Sequence, residues 1–478
     1  MVEESVAQKT VRTSFWAAIE KILTMGVQFV VSLVLARLLS PSDYGIIAML
    51  NVFIQIAGDF ISCGFENALI RKQNCTSKDY NTAFIFNAVV GILAYIILFI
   101  SAPFISDFYE MEILCPVLRI CSISLLLNAF TRVPYSILTK NLEAKKQAAI
   151  TTYASFISAL IGISAAYAGC GVWSLVYQQL ASNIIMLVMF YIKTKWCPKL
   201  EYSKESMKYL WNFGSKMLAT GIISSIYRNI YSIVIGKYYH STSLGYFNRG
   251  QQTATLFPNI IESVLLKSSL PILAQLQDNN DRLIRVYREM IRLTCFITFP
   301  LVCLIGVLAE PFVDFILTEK WSACVIYIQI FAITSLLSPA NSVNLNLLQV
   351  YGRSDYTLKA EIIKKSIGLI AVFVMLPFGV IWLSIISSTM GVFAYVVNLY
   401  YAKKLSGLKY FEQIKDMLPF AISSLIMYVV IFFLKDLINS SILQLLFGGI
   451  LGLLIYIFIT KYIFCCDVYN RIKDIRIK

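Results

Sequence analysis

Runs of about twenty apolar residues recur along this chain from near residue 13 to near residue 464. Each is long enough to cross a bilayer core of roughly 30 Å as a helix. Backbone N–H and C=O groups in hydrocarbon must be satisfied within the segment, so the expected fold class is an all-α polytopic membrane protein. Fourteen spans are expected, at 13–37, 44–68, 81–103, 113–138, 147–168, 171–192, 209–236, 244–275, 293–313, 323–350, 358–377, 380–402, 417–434 and 441–463. Composition agrees: 58% of residues are hydrophobic and 14% charged, against roughly 25% charged in soluble domains.

Charge orients the spans. With a cytoplasmic N-terminus, one set of loops carries Arg71, Lys72, Lys140, Lys145, Lys146, Lys193, Lys195, Lys199, Arg282, Arg285, Arg288, Lys364, Lys365, Lys403 and Lys404, and the other only Arg37, Lys237, Lys320 and Lys435. Of 41 Lys and Arg residues, four fall outside, seven within spans and 30 on the cytoplasmic side, which is a positive-inside asymmetry. Both termini are therefore expected in the cytoplasm. The net charge of +14 follows from that orientation, and no nucleic-acid motif accompanies it. The first run, beginning after Glu3, Glu4, Lys9 and Arg12, lacks a small-residue cleavage site and is expected to remain as a helix. Eleven cysteines, mostly single and in apolar segments, read as core hydrophobes. The single histidine, His240, is expected on an outer loop without partners for a metal. No Gly-rich GxxxxGK[ST] loop marks an ATP-driven pump. No cofactor, metal site or nucleic-acid partner is expected.

Seven basic side chains nevertheless fall inside the spans: Lys21, Arg119, Arg132, Lys216, Arg228, Arg249 and Lys267. A central Lys or Arg costs roughly 2.5 to 3.5 kcal/mol, about 20 kcal/mol for the set, which implies water or an anion inside the membrane. Lys21, Arg132 and Lys216 lie deepest and are the main candidates for lining a cavity. Arg119, Arg228, Arg249 and Lys267 lie nearer the span ends, where snorkelling is the alternative. Four acids, Glu20, Asp59, Glu66 and Glu262, also fall within spans. The basic surplus favours an anionic ligand. Glu20, Asp59 and Glu262 are candidates for ion pairing or for taking up a coupling proton or sodium ion. Arg grips phosphate bidentately whereas Lys acts as a movable charge. Asn341, Asn344 and Asn346 suit either sugar hydroxyls or helix–helix amide contacts.

The chain also repeats itself. ARLLSPSDYG (Ala36 to Gly45) realigns on GKYYHSTSLG (Gly236 to Gly245), APFISDF (Ala102 to Phe108) on AEPFVDF (Ala309 to Phe315), and CGVW (Cys170 to Trp173) on FGVIW (Phe378 to Trp382). Six spans per repeat give both halves the same orientation, the parallel-repeat plan of many transporters. The expected organisation is an N-terminal lobe over 1–200, a C-terminal lobe over 201–405, and a final helix pair with a cytoplasmic tail over 406–478.

In LARLLSPSDYGIIAM (35–49), ENALIRKQ (66–73), APFISDFY (102–109), GVWSLVYQQLA (171–181), RNIYSIVIGK (228–237), SSLPILAQLQ (268–277) and FPLVCLIGVLAEPFV (299–313), the chain resembles the polysaccharide transporter family of lipid-linked oligosaccharide flippases. The likeness is greatest to exporters of the colanic-acid and teichuronic-acid type. The wider superfamily includes multidrug and toxin extrusion transporters. The resemblance implies fourteen helices, two six-helix lobes around a central cavity, and a polyprenyl-pyrophosphate-linked glycan moved outward across a bacterial cytoplasmic membrane without bond chemistry. A polysaccharide polymerase and glycosyltransferases are the implied partner enzymes, and surface lipopolysaccharide, capsule or exopolysaccharide the product. Family members keep an acid two places after Asn229 where this chain has Tyr231, which weakens ion coupling at that position. Two other readings are a small-molecule antiporter of the extrusion type, which favours acids over bases in its cavity, and a membrane glycosyltransferase, which needs a longer outer loop.

Overall fold

The computed structural model describes residues 26–62, 64–407 and 410–464, and among them all regular structure is helical. Two compact units divide at Gly245. The first contains α1 (26–38), α2 (Pro41–Ser62), α3 (Phe65–Arg71), α4 (Ser77–Tyr109), α5 (Leu114–Cys121), α6 (Ile123–Lys140), α7 (Ala144–Tyr167), α8 (Val172–Thr194) and α9 (Lys204–Ala274) as far as Gly245. The second contains the rest of α9, then α10 (Asn280–Val307), α11 (Ala309–Phe312), α12 (Val325–Val350), α13 (Ser354–Met375), α14 (Val380–Ser406), α15 (Tyr410–Lys435) and α16 (Ser441–Phe458).

Among the described residues, ten helical stretches are long and apolar enough to cross a membrane; they match expected spans two to six, nine, ten and twelve to fourteen. Of the first expected span only Gly26–Leu38 is described. The seventh, eighth and eleventh are helical but charge-rich, with Lys216, Arg228, Arg249, Glu262 and Lys267 on α9 and Lys359, Glu361, Lys364 and Lys365 on α13. Spans seven and eight also differ from the expectation in having no loop between them. A single residue, His240, takes positive φ (67°) with ψ 161° and redirects the chain within α9.

Local sequence sets the helix starts. At α2, Ser40 and Asp43 form a capping box, the Asp43 carboxylate accepting from the Ser40 amide at 2.9 Å and hydroxyl at 2.7 Å, with Pro41 at the first helical position. Thr76 and Asp79 repeat the device at α4. The outward faces are apolar: Ile97, Ile100 and Phe104 on α4 are 61%, 63% and 73% exposed. Water would not tolerate such a surface along a 33-residue helix, and lipid does.

The order of helix pairings is similar in the two units. α4 packs on α6, α6 on α8 and α7 on α8 in the first unit, as α10 does on α12, α12 on α14 and α13 on α14 in the second. α15 and α16, outside the repeat, pack on α10. There Asp416, almost fully buried, accepts from Arg288 Nε at 2.6 Å and from Arg292 Nε at 2.8 Å.

The aligned segments Ala36 to Gly45 and Gly236 to Gly245 touch each other reciprocally. A Cβ at Gly45 would lie 1.8 Å from the Ser241 carbonyl oxygen, and one at Gly245 2.0 Å from that of Pro41. Exchanging the repeats turns one contact into the other, the signature of a local two-fold. The Ser42 and Ser241 hydroxyls, 2.8 Å apart, join the same crossing. Beyond it, Lys237 donates to Glu110 at 2.8 Å and holds that carboxyl below its ordinary range. Gly45→Ala and Gly245→Ala are each expected to lower stability by about 1–3 kcal/mol through overpacking. Gly449→Ala, where a Cβ meets nothing within 4 Å, should be neutral or stabilising; thermal unfolding of the detergent-solubilised protein compares them.

Candidate functional site

Within the first unit, α2, α6 and α9 border a cavity of about 460 Å³. α2 supplies Gln55 and Asp59, α6 supplies Asn128 and Arg132, and α9 supplies Ser225 and Arg228. Each pair is three or four residues apart, so each helix turns one stripe toward the cavity. Arg132 lies eight residues before Lys140, about 12 Å along the axis from the end of α6.

The polar groups are interlocked. Arg228 Nη2 donates to Ser225 Oγ at 3.0 Å, and the buried Ser225 hydroxyl donates to the Asp59 carboxylate. Asn229 Nδ2 bridges Gln55 Oε1 (3.1 Å) and the Ser225 carbonyl (2.9 Å). Arg132 Nη1 meets Glu66 Oε2 at 3.3 Å, while its buried Nε makes no hydrogen bond among the described residues. A guanidinium carries five N–H donors, so Arg132 retains donor capacity after pairing. Two guanidinium groups and one carboxylate line the cavity, and Glu66 offsets part of the charge through Arg132.

Of the sequence candidates, this cavity gathers Arg132, Arg228 and Asp59. Arg119 lies elsewhere in the first unit, its guanidinium 4.5 Å from the Phe99 ring centroid and its Nε 3.4 Å from the Phe99 carbonyl oxygen. Arg249, buried in the second unit, lies 5.9 Å from the Trp321 ring centroid. Glu262, also in the second unit, accepts from Ser338 at 3.1 Å and from Ser342. Lys216 and Lys267 sit on α9, their side chains outside the described set, and Glu20 and Lys21 lie outside the described residues altogether.

Three asparagines left open between sugar binding and packing turn toward packing. Asn344 accepts from Tyr287 and, at 3.2 Å, from Gln413; Asn346 donates to Ser269 at 2.6 Å; Asn341 accepts from Asn398 at 2.7 Å. Lys364, expected on a cytoplasmic loop, is buried on α13, where its Nζ donates to Asn398 Oδ1 at 3.2 Å and pairs with Glu361. Lys364 falls inside the expected span 358–377 although it was counted with the loop charges, and the contact of α13 with α14 is what buries its amine. Gln55, Asn128 and Ser225 were also missed. Their signal was their spacing, four before Asp59, four before Arg132 and three before Arg228.

These features define a multi-pass membrane protein with an arginine-bearing cavity inside its first helical unit. The chain belongs to the polysaccharide biosynthesis protein family, whose model matches residues 34–326. It is 26% identical over 307 residues to the teichuronic acid biosynthesis protein TuaB of Bacillus subtilis (strain 168), covering 64% of this chain and 63% of that protein. It is 22% identical over 371 residues to the lipopolysaccharide biosynthesis protein WzxC of Escherichia coli (strain K12), covering 75% of this chain and 74% of that one. In fold it is similar to the lipid II flippase MurJ in an inward closed conformation, with a TM-score of 0.75, 18% identity, and coverage of 95% of this chain and 99% of that chain.

A double-mutant cycle on Glu66→Gln and Arg132→Gln is expected to return a coupling of about 0.5–3 kcal/mol in thermal unfolding, as for residues in direct contact. Additive effects would mean that the pair is not formed.

Proposed function

We infer that this protein is a flippase that moves a polyprenyl-pyrophosphate-linked oligosaccharide from the cytoplasmic to the outer leaflet of a bacterial cytoplasmic membrane. The observation that carries the reading is the convergence of Arg132 and Arg228 on one intramembrane cavity, in a chain of the polysaccharide biosynthesis family. TuaB and WzxC are named for teichuronic acid and lipopolysaccharide biosynthesis, and MurJ for flipping lipid II.

The pyrophosphate needs paired cations at bilayer depth, because a phosphate dianion in hydrocarbon is as costly as the arginines themselves. The guanidinium donors of Arg132 and Arg228 take its oxygens, Gln55 and Asn128 add neutral hydrogen bonds, and the polyprenyl tail stays in lipid. Lys21 and Lys216 add charge to the path, with Arg119, Arg249 and Lys267 toward its ends. Asp59, held by the Ser225 hydroxyl, and Glu262, held by those of Ser338 and Ser342, are the carboxylates available to a coupling proton or sodium ion.

The organisation we assign is fourteen spans with both termini cytoplasmic: lobes over 1–200 and 201–405 that alternate access, and a final helix pair. No bond is made or broken, so the protein is a transporter rather than an enzyme, working beside the polymerase and glycosyltransferases that use its substrate. Two arginines against one aspartate also speak against a cation antiporter.

Arg132→Ala and Arg228→Ala should each abolish surface polysaccharide while leaving membrane expression intact, with Arg228→Lys retaining part of the export. Normal export in both alanine variants would sink the assignment; immunoblotting of the chain and staining of surface glycan read the two quantities separately.

A further inference from the structure

A second cavity, of about 310 Å³, lies inside the first unit between α1, α2, α7 and α8. Its chemistry differs from that of the arginine cavity. Four amides face it, Gln28, Gln178, Gln179 and Asn183, together with serines of α7 and α8. Among the described residues that line it, none is ionisable. Those four amides form no hydrogen bond among the described residues. Gln178 and Asn183 lie six and eleven residues past Val172, about 9 and 17 Å along α8, well inside a bilayer core of roughly 30 Å. Amides held at that depth without partners are unfavourable, so the cavity suits an occupant that both donates and accepts.

The packing presents these groups deliberately. Gly162 of α7 lets α8 approach so closely that a Cβ there would lie 2.8 Å from Gln178 Cβ. The nearby Ser158 hydroxyl is turned to the Ser155 carbonyl at 3.1 Å, leaving its lone pairs as acceptors. Val31, Ile47 and Leu175 supply an apolar patch in the same wall. Amides and hydroxyls without charge beside a small apolar surface match a sugar ring, which has hydroxyls around its edge and C–H groups on its faces. A phosphate would find no cation here, and an amine no carboxylate, among the described lining residues.

We propose that this cavity is a carbohydrate subsite that takes a neutral, hydroxyl-rich ring of the transported glycan while the arginine cavity holds its pyrophosphate. The proposal rests on the flippase reading. α2 borders both cavities, through Ile47 in one and Ile54 in the other. These residues are two turns apart, about 11 Å along one face of the helix, so a single extended headgroup reaches both.

The test uses the full chain in nanodiscs and two probes: undecaprenyl pyrophosphate, and the lipid-linked oligosaccharide extracted from host cells depleted of this protein. The double variant Gln178→Leu, Asn183→Leu should bind the oligosaccharide lipid about tenfold more weakly, as expected for losing two or so hydrogen bonds, and undecaprenyl pyrophosphate unchanged. Arg132→Ala should weaken both. Should the leucine variant fail to fold, Ser182→Ala with Asn183→Ala reads the same difference with less change of shape. Unchanged oligosaccharide-lipid affinity in a folded variant overturns the subsite and leaves a water-filled pocket. If the unmodified protein binds neither lipid, the flippase reading falls first, and the two failures are thereby told apart.

Discussion

An unpaired polar group in hydrocarbon is the constraint around which this protein is arranged. Each such group at bilayer depth has to be answered within the chain, by solvent in a cavity, or by a ligand. Some of these groups are answered within the second unit: Tyr287 and Gln413 close on the Asn344 carbonyl oxygen, Asn398 joins Asn341 to Lys364, and two serines hold Glu262. Others, in the first unit, stay open. Arg132 keeps a buried Nε without a hydrogen bond, and the amides around the second cavity are unbonded among the described residues. Unmet capacity is where a ligand gains most, because binding there relieves a standing penalty rather than displacing an existing bond.

Both units use the same helix-on-helix pairings, and the reciprocal glycine crossing at residues 41–45 and 241–245 preserves a local two-fold between aligned segments. On that common frame the side chains have diverged. At related depths α2 carries Asp59, tied through Ser225 to an arginine, whereas the second half of α9 carries Glu262, tied only to hydroxyls among its described bonds.

Much of the fold was legible in advance because hydrophobic length is a one-dimensional property. Ten expected spans coincide with apolar helices, and the repeat was readable from three short motifs because duplicated turns keep their residues. The break expected around His240 is there but is a single residue rather than a loop, since one residue at positive φ turns the chain as sharply as a loop does. The candidate site was half legible. Arg132, Arg228 and Asp59 stood out because charge in an apolar run is conspicuous, whereas Gln55, Asn128 and Ser225 did not, since neutral polar residues are ordinary in membrane helices. Lys364, inside the expected span 358–377 but counted with the loop charges, is a buried amine that its charged neighbours conceal.

By itself the sequence determined the solvent this protein lives in, its helical class and the presence of costly charge at bilayer depth. All of these follow from residue type and spacing along the chain. Tertiary structure alone decided which charges meet. Arg132 and Arg228 are 96 positions apart and share a cavity, while Arg119, closer to Arg132 in sequence, stacks on Phe99 instead. Helical periodicity states which way a side chain points on its own helix; which neighbour waits there depends on how closely helices approach, and glycines such as Gly45 and Gly162 set that distance through the absence of a single carbon atom.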